Sequence, residues 1–207
     1  MLIPVNTTYR IAGTNLRLEG NGINHFPAES KPCDEFITED YRYKCSIHHG
    51  IPCWDVRVKL TNQEEYQPLL SEINGLPLRL MTATFMYCGR MKTAPTIPPT
   101  VVNMPLTFKR CSALVEPPEI PDGVTHLADT FMYCNLLEVA PIIPASVIIM
   151  HNTFYGCTSL RGILVCNASD RALEYKEFIS MTLYQTKLKG IKGDCSQEVK
   201  DRLWATK

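Results

Sequence analysis

Thr130-Phe131-Met132-Tyr133-Cys134-Asn135-Leu136-Leu137-Glu138-Val139-Ala140-Pro141-Ile142-Ile143-Pro144-Ala145-Ser146-Val147-Ile148-Ile149-Met150 is one unit of a sequence that returns every 23 residues. Thr-Phe recurs at Thr84-Phe85, Thr107-Phe108, Thr130-Phe131 and Thr153-Phe154. A cysteine follows each Phe, at Cys88, Cys111, Cys134 and Cys157, and then come Met91, Leu114, Leu137 and Leu160. Next stand Pro95, Pro118 and Pro141; Ile97, Ile120 and Ile143; Pro98, Pro121 and Pro144; and Val101, Val124 and Val147. Met104, Leu127 and Met150 close the unit, and Leu78 and Met81 hold the places a preceding unit would give its Val and Met.

This period is too short for a helical hairpin, which needs about 33 or 34 residues, and falls in the window of roughly 20 to 29 for leucine-rich repeats. Phe, Cys and Leu at i, i+3 and i+6 share one side of a single helical or 3-10 turn. The two prolines that follow remove amide donors and force extended or turn geometry. Each unit therefore reads as one short turn and one or two short extended pieces. Its apolar side is too small for a core until neighbours stack against it. The expected fold is a repeat β-solenoid, leucine-rich-repeat-like, of short parallel strands joined by 3-10 or helical turns, with α/β capping regions at both ends. The repeat cysteines read as small packing groups where turns approach closely.

The pattern Thr-Phe-x-x-Cys-x-x-Leu-x-x-x-Pro-x-Ile-Pro-x-x-Val-x-x-Met resembles the BspA-like leucine-rich repeats of bacterial surface proteins, with similar units in proteins of gut bacteria and their phages. The resemblance covers about residues 73 to 164. It implies a right-handed β-solenoid, an association with adhesion and protein binding, and no enzymatic activity. By analogy with phage relatives, it also suggests a partner that is a host protein, bound or inhibited.

An open stack exposes an apolar cross-section at each end, so caps are expected. The chain divides into an N-terminal, β-rich segment at 1–60, the repeats with a capping helix at 61–164, and a C-terminal α/β cap at 165–207. Trp54 to Leu60 alternates like a half-buried strand. Thr61-Asn62-Gln63-Glu64 suits a capping box for a helix over roughly 62–73, with Tyr66, Leu69, Leu70 and Ile73 inward. Short strands are expected near Tyr9-Arg10-Ile11 and Phe36-Ile37-Thr38, at Gly162–Val165 and at Leu188–Ile191. A helix from Asp170 would turn Leu173, Phe178 and Ile179 inward, and a last one from Asp194 or Ser196 would hold Val199, Leu203 and Trp204.

The 207 residues carry no net charge, with 45% hydrophobic and 20% charged positions. Such a balance excludes general disorder and offers no electrostatic reason to expect nucleic acid or a membrane surface. No apolar run approaches the roughly 18 residues that span a bilayer, and Met1 to Asn6 lacks the features of a signal peptide. Nine cysteines, four at one repeating position, do not form a disulfide framework; they point to a reducing compartment, the cytoplasm.

Outside the repeat, Cys33, Cys45, His48, His49 and Cys53 are metal-ligand types in one short window. Cys45-x-x-His48 and His49-x-x-x-Cys53 admit a tetrahedral zinc site, but a Cys-x-x-Cys knuckle is absent and plain core or loop thiols are the favoured reading, with a disulfide behind both. Cys33 or Cys53 with His25, His48 or His49 is the one candidate thiol–imidazole pair, without a Gly-rich elbow or fixed third partner. No enzyme and no cofactor is therefore expected.

In a solenoid, function falls on positions that repeat in place but differ in chemistry. After each conserved Leu or Met come Lys92, Val115, Glu138 and Arg161, and two further on Ala94, Pro117, Ala140 and Ile163. Alternation would turn these to one face. The outer-turn positions Met86-Tyr87, Lys109-Arg110, Met132-Tyr133 and Tyr155-Gly156 form a rival surface, Tyr87 and Tyr133 above all. Both suit a protein partner. Self-association in a virion or surface assembly is the alternative.

Overall fold

The computed structural model describes residues 1–174 and 180–207. It is mostly sheet: β1 (Thr8–Arg10), β2 (Arg17–Glu19), β3 (Glu35–Ile37), β4 (Tyr41–His48), β5 (Ile51–Val58), β6 (Glu72–Ile73), β7 (Leu76–Leu80), β8 (Arg161–Val165) and β9 (Lys187–Lys192). One α-helix, α1 (Gln197–Trp204), and one short 3-10 turn, Asp170–Glu174, complete the elements of the described residues. β1 to β7 form one curled sheet in the order β2-β1-β3-β4-β5-β7-β6, antiparallel except for β5 against β7. β8 and β9 pair in parallel as a second, two-stranded sheet.

This corrects the expected fold. The chain is a curled, mixed half-barrel with one helix, and neither a solenoid of parallel strands nor a leucine-rich repeat describes it. Among the described residues, no strand lies between Met81 and Leu160. The extended pieces there shrink to single-residue parallel bridges, Leu80 with Asn103, Asn103 with His126, and His126 with Ile149. The prolines explain part of this, since they remove ladder donors. Each unit also turns twice through positive φ, at Ala83 and Tyr87, Leu106 and Arg110, Asp129 and Tyr133, Asn152 and Gly156.

The period nonetheless orders side chains into a column of turns. Phe85, Phe108, Phe131 and Phe154 stack ring on ring with centroids 5.3 to 5.7 Å apart. The hydroxyl of Thr107 donates to the carbonyl of Met81, that of Thr130 to Met104 and that of Thr153 to Leu127. The thiols of Cys111, Cys134 and Cys157 each donate to the Phe carbonyl one turn earlier, at 3.0 to 3.1 Å. Burial drives the stacking, and these bonds satisfy polar atoms that would otherwise be stranded in the interior. A fifth turn follows: Thr182 donates to the carbonyl of Met150, and Phe154 and Gly156 donate their amides to Thr182 and Tyr184.

The expected capping helix at 62–73 is also absent. Pro68 lies in its middle, where a ring both clashes and removes a donor. Side chains of the sheet hold this backbone instead. The carboxylate of Asp40 accepts the Gln67 amide, the Tyr43 hydroxyl accepts the Leu70 amide, and the Tyr41 hydroxyl donates to the Gln67 carbonyl. Tyr41 and Tyr66 then pack against Phe85, joining the sheet's aromatic core to the column. The short strands expected near Tyr9, Phe36, Trp54, Gly162 and Leu188 are β1, β3, β5, β8 and β9. At the C-terminus, α1 starts from Ser196, whose hydroxyl accepts the Val199 amide, and buries Val199 and Leu203. The positions expected inward at Phe178 and Ile179 lie outside the described residues.

Candidate binding surface

The row Lys92, Val115, Glu138 and Arg161 comes together on one side of the column. The Glu138 amide donates to the Val115 carbonyl, and the Arg161 amide to the Glu138 carbonyl. All four are exposed, Val115 at 40%. Only Arg161 lies in a strand, so turn-to-turn stacking rather than strand alternation places the row. Its charges are already matched within the chain. Lys92 pairs with Glu64 at 2.9 Å, and Arg161 with Glu138 at 2.7 Å. A partner would have to compete with these contacts, exposed and individually weak as they are.

The outer turns carry a different row. Tyr87, Arg110 and Tyr133 occupy successive left-handed positions, so their side chains project from one line. The Arg110 guanidinium lies over the Tyr87 ring, 5.6 Å from its centroid, and over the Tyr133 ring at 5.2 Å. The Tyr133 ring fills the space a side chain at Gly156 would need: a Cβ there would come within 2.5 Å of it. Tyr133 then meets Tyr155 edge-on at 5.4 Å, and Tyr155 stacks on Tyr184 at 5.1 Å. The result is a continuous aromatic and guanidinium row across five turns. Tyr87 is 55% exposed and Tyr184 38%.

Tyr184 was invisible to the period because its turn arrives six residues late, 29 rather than 23 after Tyr155. The signal is Met181-Thr182-Leu183-Tyr184-Gln185-Thr186 set against Asn152-Thr153-Phe154-Tyr155-Gly156-Cys157. Met181 and Gln185 repeat the two positive-φ positions of that unit.

The Cys/His window does not assemble as one site. In the β4–β5 register Cys45 stands opposite Trp54, whereas Ser46 stands opposite Cys53 and His48 opposite Ile51. Alternation therefore places Cys45 on one face of the hairpin and His48 with Cys53 on the other. No group of three or more His, Cys, Asp or Glu side chains converges to hold a metal among the described residues. All nine cysteines are free thiols. Burial pushes the Cys45 thiol up to about 11 and raises that of Cys53, opposite to the shift that activates a nucleophile. His48 is lowered by burial and by the neighbouring His49 and Arg79 charges.

No helix among the described residues is long and apolar enough to cross a membrane. No protein-family model, curated protein or solved structure matches the chain, and none of the three comparisons identifies a BspA-like repeat.

Proposed function

We propose that the protein is a non-enzymatic binding module that docks a protein partner on its outer-turn row. The observation that supports this is the line Tyr87, Arg110, Tyr133, Tyr155 and Tyr184, held one residue per turn with part of its aromatic surface open to water. Tyr and Arg are enriched among the residues that dominate protein interfaces, because each joins a large contact area to a polar tip. The Lys92 row fits the role less well, its charged members being paired intramolecularly. Eight of the nine free cysteines are buried, which suits a reducing compartment such as the cytoplasm.

Affinity capture from a lysate of the source cell tests this with two variants beside the native bait. One carries Tyr87→Ala and Tyr133→Ala, the other Lys92→Ala, Glu138→Ala and Arg161→Ala. A protein held by the native chain and the second variant but lost by the first is the expected result. Loss by the second alone would move the site to the Lys92 row. Capture of nothing but further copies of the chain would favour a structural assembly.

A further inference from the structure

The hairpin β4–β5 sets like charges against one another. In its register Arg42 stands directly opposite Arg57, and Lys44, two residues along the same face, stands opposite Asp55. Like charges facing across two strands destabilise a sheet, so this pair calls for a counter-charge. Lys44 has a carboxylate in register on either side, Glu35 on β3 and Asp55 on β5, yet neither reaches it. Glu35 is engaged by Arg10 at 2.7 Å and more loosely by Arg42 at 3.8 Å. One carboxylate oxygen of Asp55 accepts the amides of Val56 and Thr82 at 3.0 and 3.2 Å. Among the described residues Lys44 and Arg57 have no ion-pair partner.

These cations line a groove of about 610 Å³ whose rim includes Pro32 and Cys33. Its rim is rigid. Buried Asp34 accepts the Tyr9 hydroxyl and the amides of Ala12 and Lys31, pinning the turn that carries Pro32 and Cys33. A volume of this size suits a small ligand, within roughly 300–1,000 Å³. Arg42, Lys44 and Arg57 in the lining, with Arg10 beside them, face only the carboxylates of Asp55 and Glu35, which leaves a double positive excess. That matches a phosphomonoester, which carries about −1.5 to −2 at neutral pH, better than a lone carboxylate.

We infer that this groove binds a small phosphomonoester. The guanidiniums of Arg42 and Arg57 grip the phosphoryl oxygens as planar forks, Lys44 adds a third charge, and Pro32 on the rim meets the apolar remainder. The site is separate from the outer-turn row and does not rest on the function proposed for it.

Isothermal titration at physiological ionic strength tests the inference, with phenyl phosphate as probe and benzoate as the single-charge control. Saturable binding of phenyl phosphate, at least ten-fold tighter than benzoate, is expected. Arg57→Gln and, independently, Lys44→Gln each weaken it at least ten-fold with unchanged circular dichroism, whereas Arg110→Gln in the outer row has no effect. Two substitutions on different strands guard against a single variant that fails to fold. Absence of saturable binding, equal affinity for benzoate, or undiminished binding by both folded variants overturns the assignment. Tighter binding of a phosphoserine peptide than of phenyl phosphate would also overturn it, by making the groove a protein-docking site.

Discussion

The column of turns and the N-terminal sheet solve the same problem in opposite ways. In the column, one residue type per level is repeated. Phe stacks on Phe, each Thr hydroxyl and most Cys thiols reach a carbonyl of the preceding turn, and little chemistry remains unmatched inside. In the sheet no level repeats. Trp54, Tyr9, Tyr41, Tyr43 and Phe36 interlock edge-on or tilted, and their polar tips find individual partners, Trp54 the Ile73 carbonyl and Tyr9 both Asp34 and Ser30. The difference appears on the outer faces. The Lys92 row of the column pairs its charges, while the sheet leaves Lys44 and Arg57 unmatched.

The largest way to break this contrast is alkaline pH. Burial raises the thiols of Cys111 and Cys134 well above the usual range and pushes Cys88 to about 11 and Cys157 to about 12. Because these folded values lie above the unfolded one, stability is fully present below about pH 8.5 and lost as pH rises from there toward 11 to 12. Each thiol gives up on the order of 1 kcal/mol per pH unit within that window. Urea unfolding at pH 7 and pH 10 should show a strong drop, flatter in Cys134→Ala. An equal drop in that variant would remove the Cys134 thiol from the explanation.

Next comes Phe108→Ala, which deletes a fully buried ring lying between Phe85 and Phe131. It should cost about 3–5 kcal/mol, read as a lowered urea midpoint. The smallest effect sharpens the comparison from the other side. Arg57→Gln relieves the opposition to Arg42 and should stabilise the chain by about 0.2–1 kcal/mol, less so as salt is added. A destabilisation there would mean the guanidinium is held by contacts within the chain.

How far the fold was legible follows from the same contrast. The inward positions of the column could be read because burial demands the same residue at each level, and Phe85 through Phe154 declare that demand every 23 residues. What those levels become along the backbone could not be read. Tyr87, Arg110 and Asp129 adopt left-handed conformations that L residues seldom take, where the pattern suggested a plain helical or 3-10 turn. The helix expected at 62–73 failed because its hydrophobic spacing was genuine while its backbone partners, Asp40, Tyr41 and Tyr43, lie more than 20 residues away. The outer row was half visible: Tyr87 and Tyr133 follow the period, whereas Tyr184 sits past a six-residue insertion. The basic groove was not visible at all. Arg42, Lys44 and Arg57 alternate with buried neighbours like any exposed strand face, and only the pairing register sets two arginines opposite one another.

The thermal unfolding midpoint of Tyr87→Ala, taken beside that of Phe108→Ala, tests most directly whether the column keeps its inward ladder for stability and its outer row for a partner. Tyr87→Ala, which loses little more than its contact with Arg110, is expected to stay within about 3 °C of the native chain, while Phe108→Ala falls by roughly 6 °C or more. A comparable fall for both would make the outer row part of the fold's own support and contradict its assignment as a binding surface.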